Sequence, residues 1–262
     1  MKIYFTLLIA LLTIFPISGQ NLSGKTPWNN KQCAVSLTYD DAMDVHLDNV
    51  VPILDSLGIK ATFYITCNFT GFRNRTDEWK QLSVNGHELG NHTLFHPCEG
   101  RSQGRVRVYD LNDYTVQRFK DEVVMTNLVL NLLDGKTRRT FAYPCGHLLA
   151  GDSSYVESIK NEFVAARTVH AVMQKIDEID LYSIGCFMVI NQTGEELIEL
   201  VKKAEETNSY ITFIFHGVGN NPDYVPLEVH NKLVDYLKQN EDKIWVAPLI
   251  DVADYIEKRD NN

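Results

Sequence analysis

The chain has 262 residues, and 25 Lys and Arg against 34 Asp and Glu leave a formal charge of −9. No basic surplus exists to displace counterions from phosphates, which argues against a nucleic-acid partner. With 44% hydrophobic and 23% charged residues, the composition excludes a disordered, collagen-like or multi-span membrane chain.

The first residues stand apart. Met1-Lys2 gives a short positive start, residues 3–17 are almost wholly apolar, and Ser18-Gly19 supplies small residues for cleavage. This is the layout of a secretory signal peptide over residues 1–19. Its apolar run of 15 residues spans about 22 Å as a helix, short of the roughly 30 Å of a hydrocarbon core. The expected mature protein is secreted or periplasmic, without an integral membrane span. Five cysteines with no CxxC pair leave at least one free thiol.

Strands and helices then alternate. Residues 35–39 read as a strand and 46–57 as a helix stopped by Gly58. Strand 61–66, helix 79–84, strand 88–91 and a long helix 112–133 follow. Strand 139–143 is stopped by Pro144. Helix 153–161, strand 163–166 and a short strand 181–184 come next. Helix 194–206 leads to a strongly apolar strand 210–215, which suits a buried parallel strand. Helix 226–240, strand 244–247 and helix 250–258 close the chain. No Pro/Gly/Ser-rich linker divides these units, and no repeat is evident. The pattern predicts one α/β domain, a distorted (β/α) barrel of about seven parallel strands. Residues 20–30 are a lead-in, 31–259 the domain and 260–262 a tail.

Four groups of chemistry-bearing residues fall just beyond strand ends: Asp40-Asp41, His92 with His96, Pro144-Cys145-Gly146, and His216-Gly217. In a β/α barrel those ends share one face, where active sites lie. The His92/His96 spacing lets two imidazoles meet one metal if the segment is locally helical. His46, His170 and His230 show no partner pattern, and His87 reads as serving a local turn.

These groups resemble a known family. Ser36-Leu37-Thr38-Tyr39-Asp40-Asp41-Ala42 is similar to the T-F-D-D-G motif of polysaccharide deacetylases, the NodB-homology group of carbohydrate esterase family four. Gly90-Asn91-His92-Thr93-Leu94-Phe95-His96 resembles the family's H-[ST]-x-x-H motif. Phe141-Ala142-Tyr143-Pro144-Cys145-Gly146 resembles its proline-containing third motif, and Ile214-Phe215-His216 its last. Lys60-Ala61-Thr62-Phe63-Tyr64 and Val252-Ala253-Asp254-Tyr255-Ile256 are similar to flanking segments. The likeness runs from about Lys31 to Arg259.

The resemblance implies a distorted β/α barrel and a divalent metal held by Asp41, His92 and His96. It implies Asp40 as general base, His216 as general acid and the backbone N–H of Cys145 as an oxyanion donor. Two imidazoles and a carboxylate leave a zinc-like ion an open position. Zinc is preferred, and the same ligands accept cobalt, manganese or nickel. The third motif of the family carries an arginine shortly before its proline, which pairs with the catalytic Asp. Arg139 lies five residues before Pro144, and Arg167, closing the strand 163–166, is a second candidate to orient Asp40. The family's fourth motif, with its Asp and Trp, is not recognisable between Thr168 and Asp180. Tyr143, Pro144 and His147 are expected to line the substrate. Cys98 and Cys145, one after each of two neighbouring motifs, are expected to form a disulfide.

The expected function is an exported, metal-dependent hydrolase that removes acetyl groups from a glycan, with an N-acetylhexosamine polymer or oligomer preferred. An O-acetyl esterase of the acetyl xylan type is the alternative, and a silent carbohydrate-binding relative a further one. The acidic chain suits a neutral glycan partner better than a strongly anionic one. No protein partner is assigned.

Overall fold

The computed structural model describes residues 27–100, 108–222 and 224–260. The signal peptide expected at residues 1–19 lies outside the described residues. Among those described, no helix is long and apolar enough to cross a membrane. Trp28, read as lead-in, is wholly buried beside Tyr210 and donates to the Asn208 carbonyl at 2.9 Å.

The alternation holds in chain order. Strand β1 is Cys33–Asp40. A π-helical turn His46–Val50 leads into helix α1, Val51–Leu57, which Gly58 closes at φ 70°. Strand β2 is Thr62–Ile65, followed by helices α2, Thr70–Arg73, and α3, Thr76–Val84. Strand β3 is Glu88–Asn91. Helix α4, Val116–Asp134, starts where the Thr115 side chain accepts from the Arg118 N–H. Strand β4 is Thr140–Ala142. A small hairpin of β5, Leu149–Ala150, and β6, Ser153–Ser154, precedes helix α5, Val156–Ile159. Strand β7 is Ala165–Arg167, β8 is Gln174–Lys175 and β9 is Phe187–Met188. Helix α6, Gly194–Thr207, carries a reciprocal Thr193/Glu196 cap. Strand β10, Ser209–Phe215, helix α7, Leu227–Gln239, strand β11, Ile244–Val246, and helix α8, Leu249–Asp260, complete the order.

The sheet runs β7-β4-β3-β2-β1-β10-β8, with β11 added against β1 and β9 against β10. Among the described residues only β8 pairs antiparallel in it. The expected strand 181–184 does not form. In its place a single bridge joins Ile184 to Arg167, and the chain runs on into β9 against β10. The sheet therefore curls into a distorted half-barrel. The 153–161 region opens with a hairpin rather than a helix, because Ser153-Ser154 pair back on Leu149-Ala150.

Side-chain alternation sorts the two faces of this sheet. Cys33, Val35, Leu37 and Tyr39 of β1, with Ile211, Phe213 and Phe215 of β10, face outward into the main apolar core with Leu54, Val201 and Leu233 of the helices. The inward residues are largely polar. Tyr210 donates to Ser36 Oγ at 2.8 Å, and the Tyr64 hydroxyl lies 2.9 Å from Thr140 Oγ1. At the base Glu88 accepts from Thr62 Oγ1, the Thr140 N–H and Oγ1, and the Ile250 N–H at 2.7–3.1 Å. Helix α8 closes that end. The same alternation turns Asp40, last residue of β1, inward at the opposite rim.

Candidate active site

The rim gathers the residues singled out from sequence. Asp40 is 4% exposed, and Arg167 Nη2 donates to both of its oxygens at 2.6 Å. Arg167 ends β7, donates from Nη1 to the Thr168 carbonyl at 3.2 Å, and lies 4.8 Å over the Tyr64 ring. Gly90 lets that floor lie flat, since a Cβ there would meet the Tyr64 ring at 2.5 Å. Burial alone would raise the Asp40 pKa. The Arg167 guanidinium, with His92 and His216, more than offsets it and holds Asp40 at about 2.

Arg139 does not serve Asp40. It stands at the opposite end of β4, binds Asp134 at 2.6 and 3.0 Å, and donates to the Leu89 and Lys136 carbonyls. Of the two arginine candidates only Arg167 reaches the site. Five residues of extended chain put Arg139 about 16 Å from the Pro144 end of its strand.

Asp41, His92 and His96 present one ligand atom each within 4.8 Å of one another. Asp41 Oδ1 lies 3.9 Å from His92 Nε2 and 3.7 Å from His96 Nε2, and it is buried without a hydrogen-bond partner. Burial, with the Asp40 charge next to it, raises the Asp41 pKa although the imidazoles oppose this. An orphaned carboxylate oxygen facing two imidazole nitrogens fits a cation. His92 Nδ1 lies 2.8 Å from the Ala142 carbonyl, so it carries the hydrogen and Nε2 keeps its lone pair. Burial and the neighbouring His96 hold His92 at about 4, against the pull of Asp40 and Asp41, so the ring is neutral at pH 7.

The segment bearing the two histidines is not helical. Thr93 and His96 sit at φ 66° and 53° in a tight turn, with the Thr93 N–H on Asn91 Oδ1 and the His96 N–H on Thr93 Oγ1. Asn91 is anchored in turn to Val123 and Asn127 of α4. The turn, not a helix, brings the ring centroids to 4.6 Å. Asp41, Ala42 and Cys145 also have positive φ, so strained backbone clusters around this rim.

Cys145 is disulfide-bonded to Cys98, Cα–Cα 5.8 Å, tying the third-motif loop to the loop after His96. Its side chain being engaged, only its backbone can serve the site. Tyr143 does not line the rim. It is 2% exposed and its hydroxyl donates to the Tyr182 carbonyl, because alternation turns it into the outer cluster with Phe141 and Tyr155. Pro144 is buried as well. His147 Nδ1 accepts from the Glu99 N–H at 3.0 Å, which makes it a brace for the disulfide-linked loop.

His216 follows β10 at the same rim, close enough to bias both Asp40 and Asp41. A cavity of about 390 Å³ opens beside Asp41, lined by Asp44, Asn68, Phe69 and Tyr224. Sequence reasoning gave no role to Phe69, Tyr224 or His46, which lie in no recognised motif, and it noted Tyr64 only within a family-like flanking segment.

The family model for polysaccharide deacetylase matches residues 29–161. A peptidoglycan-N-acetylglucosamine deacetylase of Bacillus cereus is 30% identical over 127 residues, 47% of this chain and 39% of that one. A gellan lyase of a Bacillus species is 23% identical over 259 residues, 88% of this chain and 10% of that protein. The chain thus spans well under half the length of these curated relatives. A structure assigned as a polysaccharide deacetylase from Mycobacterium smegmatis superposes with TM-score 0.62 at 14% identity, covering 88% of this chain and 92% of that one. A family 4 acetyl xylan esterase from Clostridium thermocellum, in complex with a cobalt ion, gives TM-score 0.54 at 18% identity, covering 84% and 89%.

Proposed function

The chain belongs to the polysaccharide deacetylase family, and from that premise we propose that it is an exported, metal-dependent hydrolase of acetyl groups on a glycan. The observation that carries this reading is the orphaned Asp41 Oδ1 between two imidazole nitrogens, next to a carboxylate that Arg167 keeps ionised. Asp41, His92 and His96 would hold a divalent metal, zinc by preference, and the cobalt-bound esterase relative supports a transition metal. Such an ion supplies Lewis acidity and a water of lowered pKa.

The remaining steps belong to the chain's own groups. Asp40, ionised above about pH 2, takes the proton of the attacking water. The Cys145 N–H, held at φ 55° by its turn and its disulfide, donates to the oxygen that becomes negative, a contact worth roughly 3–4 kcal/mol. His216 gives a proton to the departing amine or alkoxide. The peptidoglycan-N-acetylglucosamine deacetylase relative favours an N-acetyl substrate over the acetyl xylan alternative. The Cys98–Cys145 disulfide suits an oxidising compartment and so supports export.

Acetate release from chitooligosaccharides and from acetylated xylan tests the reading. Turnover of the former, with about one transition metal per chain that an Asp41→Ala/His92→Ala variant loses, is the expected result. Full metal occupancy in that variant, or no acetate from either substrate, would overturn it.

A further inference from the structure

The segment after Asp40-Asp41 grips the loop that carries His216. His46, in the π-helical turn, is wholly buried, with Tyr39, Phe63 and Trp79 ring centroids 5.6, 6.0 and 6.5 Å away. Its Nε2 lies 2.6 Å from the His216 carbonyl oxygen. A carbonyl only accepts, so Nε2 carries the hydrogen. Three residues on, Asn49 Nδ2 donates to the Val218 carbonyl at 2.7 Å. Gly219 approaches so closely that a Cβ there would sit 2.7 Å from the same Nδ2. Two side chains from one turn thus hold two carbonyls that flank Gly217.

Folding alone does not explain this choice. With its hydrogen on Nε2, the His46 ring leaves Nδ1 as an acceptor, and Nδ1 is buried with no partner. Such an orphan costs about 1–3 kcal/mol, which a leucine in the same aromatic pocket would avoid. Burial, against the pull of the His216 carbonyl, holds the ring at about 4, so it remains a neutral donor at pH 7. π-helical turns are rare and concentrate at functional sites.

We propose that His46 and Asn49 are positioning residues that fix the His216 backbone against the Asp40-Asp41 turn, and so set the proton donor on the leaving-group side. This rests on the reading above in which His216 protonates the leaving group. A donor displaced by even 1 Å loses about a hundredfold in rate.

The test compares a chitooligosaccharide, whose amine leaves only when protonated, with p-nitrophenyl acetate, whose phenolate leaves without a proton. His46→Leu is expected to lower kcat on the oligosaccharide about tenfold to a hundredfold. KM, metal content and p-nitrophenyl acetate hydrolysis should stay within about twofold of wild type. His46→Gln, whose amide can donate to the same carbonyl, should recover most of the loss, and Asn49→Ala should show a weaker version of it. Equal losses on both substrates, or an unimpaired His46→Leu enzyme, overturn the proposal. Should His46→Leu fail to fold, Asn49→Ala decides by the same contrast. Should the wild type turn over neither substrate, the functional reading falls, and hydrogen exchange at amides 217–219 judges the clamp alone. Faster exchange in Asn49→Ala supports it, and unchanged exchange overturns it.

Discussion

Asp40 and Glu88 are both buried inside one barrel, Asp40 at the rim and Glu88 at the base, and their surroundings push the two carboxyls in opposite directions. Glu88 accepts four hydrogen bonds from neutral donors, and burial raises its pKa although those bonds oppose it. Asp40 meets a guanidinium on both oxygens and stays low, at about 2. Desolvation acts on both, and at Asp40 the Arg167 guanidinium, with His92 and His216, outweighs it. The base spends its polar contacts on closing the barrel. The rim leaves an oxygen of Asp41 unmatched, and that is where chemistry can enter.

Exchanging each carboxyl for its amide breaks or sharpens this contrast most strongly. Asp40→Asn is expected to lower kcat about 10²–10⁴-fold with metal still bound, as steady-state kinetics and elemental analysis would show. Glu88→Gln should keep kcat and lose about 1–3 kcal/mol of stability in urea unfolding, since an amide nitrogen cannot accept from the Ile250 N–H. A large activity loss in Glu88→Gln would mean that base and rim are not separable.

The two buried arginines extend the contrast. Removing either leaves a buried carboxylate uncompensated, at about 3–5 kcal/mol. Arg139→Met should show that loss in thermal melts with kcat intact, whereas Arg167→Met should lose both stability and turnover. A rim-only test is the disulfide, which closes a loop of 47 residues. Its loss in Cys98→Ser/Cys145→Ser is expected to cost about 4 kcal/mol and to slow turnover, read by melting and acetate assays.

Acidification gives the smallest effect. Asp40, lowered from 3.8 to about 2, contributes stability that is complete above pH 3.8 and is lost as pH falls toward 2, roughly 2 kcal/mol in all. Glu88, raised above 4.5, acts with the opposite sign: it burdens the fold at neutral pH and ceases to do so as pH falls through its raised value. Urea unfolding of metal-free protein across pH 2–7 should therefore show a shallower acid-side decline in Asp40→Asn and gain neutral-pH stability relative to pH 4 in Glu88→Gln.

Much of this was legible in the sequence. Asp40, Asp41, His92, His96 and His216 follow strand ends whose apolar runs are unmistakable, and parallel topology brings such ends together. Strands β8 and β9 were not legible, because two residues carry no period. The choice between Arg139 and Arg167 needed only strand direction, since one stands at the start of its strand and the other at the end. Tyr143 was misplaced because alternation along β4 cannot be phased until a neighbouring inward residue is known. The His46 contact joins residues 170 apart, and no local pattern announces it.

Arg167 has a consequence for how such chains are recognised. The residue that keeps Asp40 ionised stands not on the strand bearing the third motif but on the strand paired beside it, Ala142 lying opposite Arg167 in the register. A signature demanding an arginine just before the proline would file this chain among inactive relatives. A search that asks instead for any cation ending either of two adjacent strands would keep it.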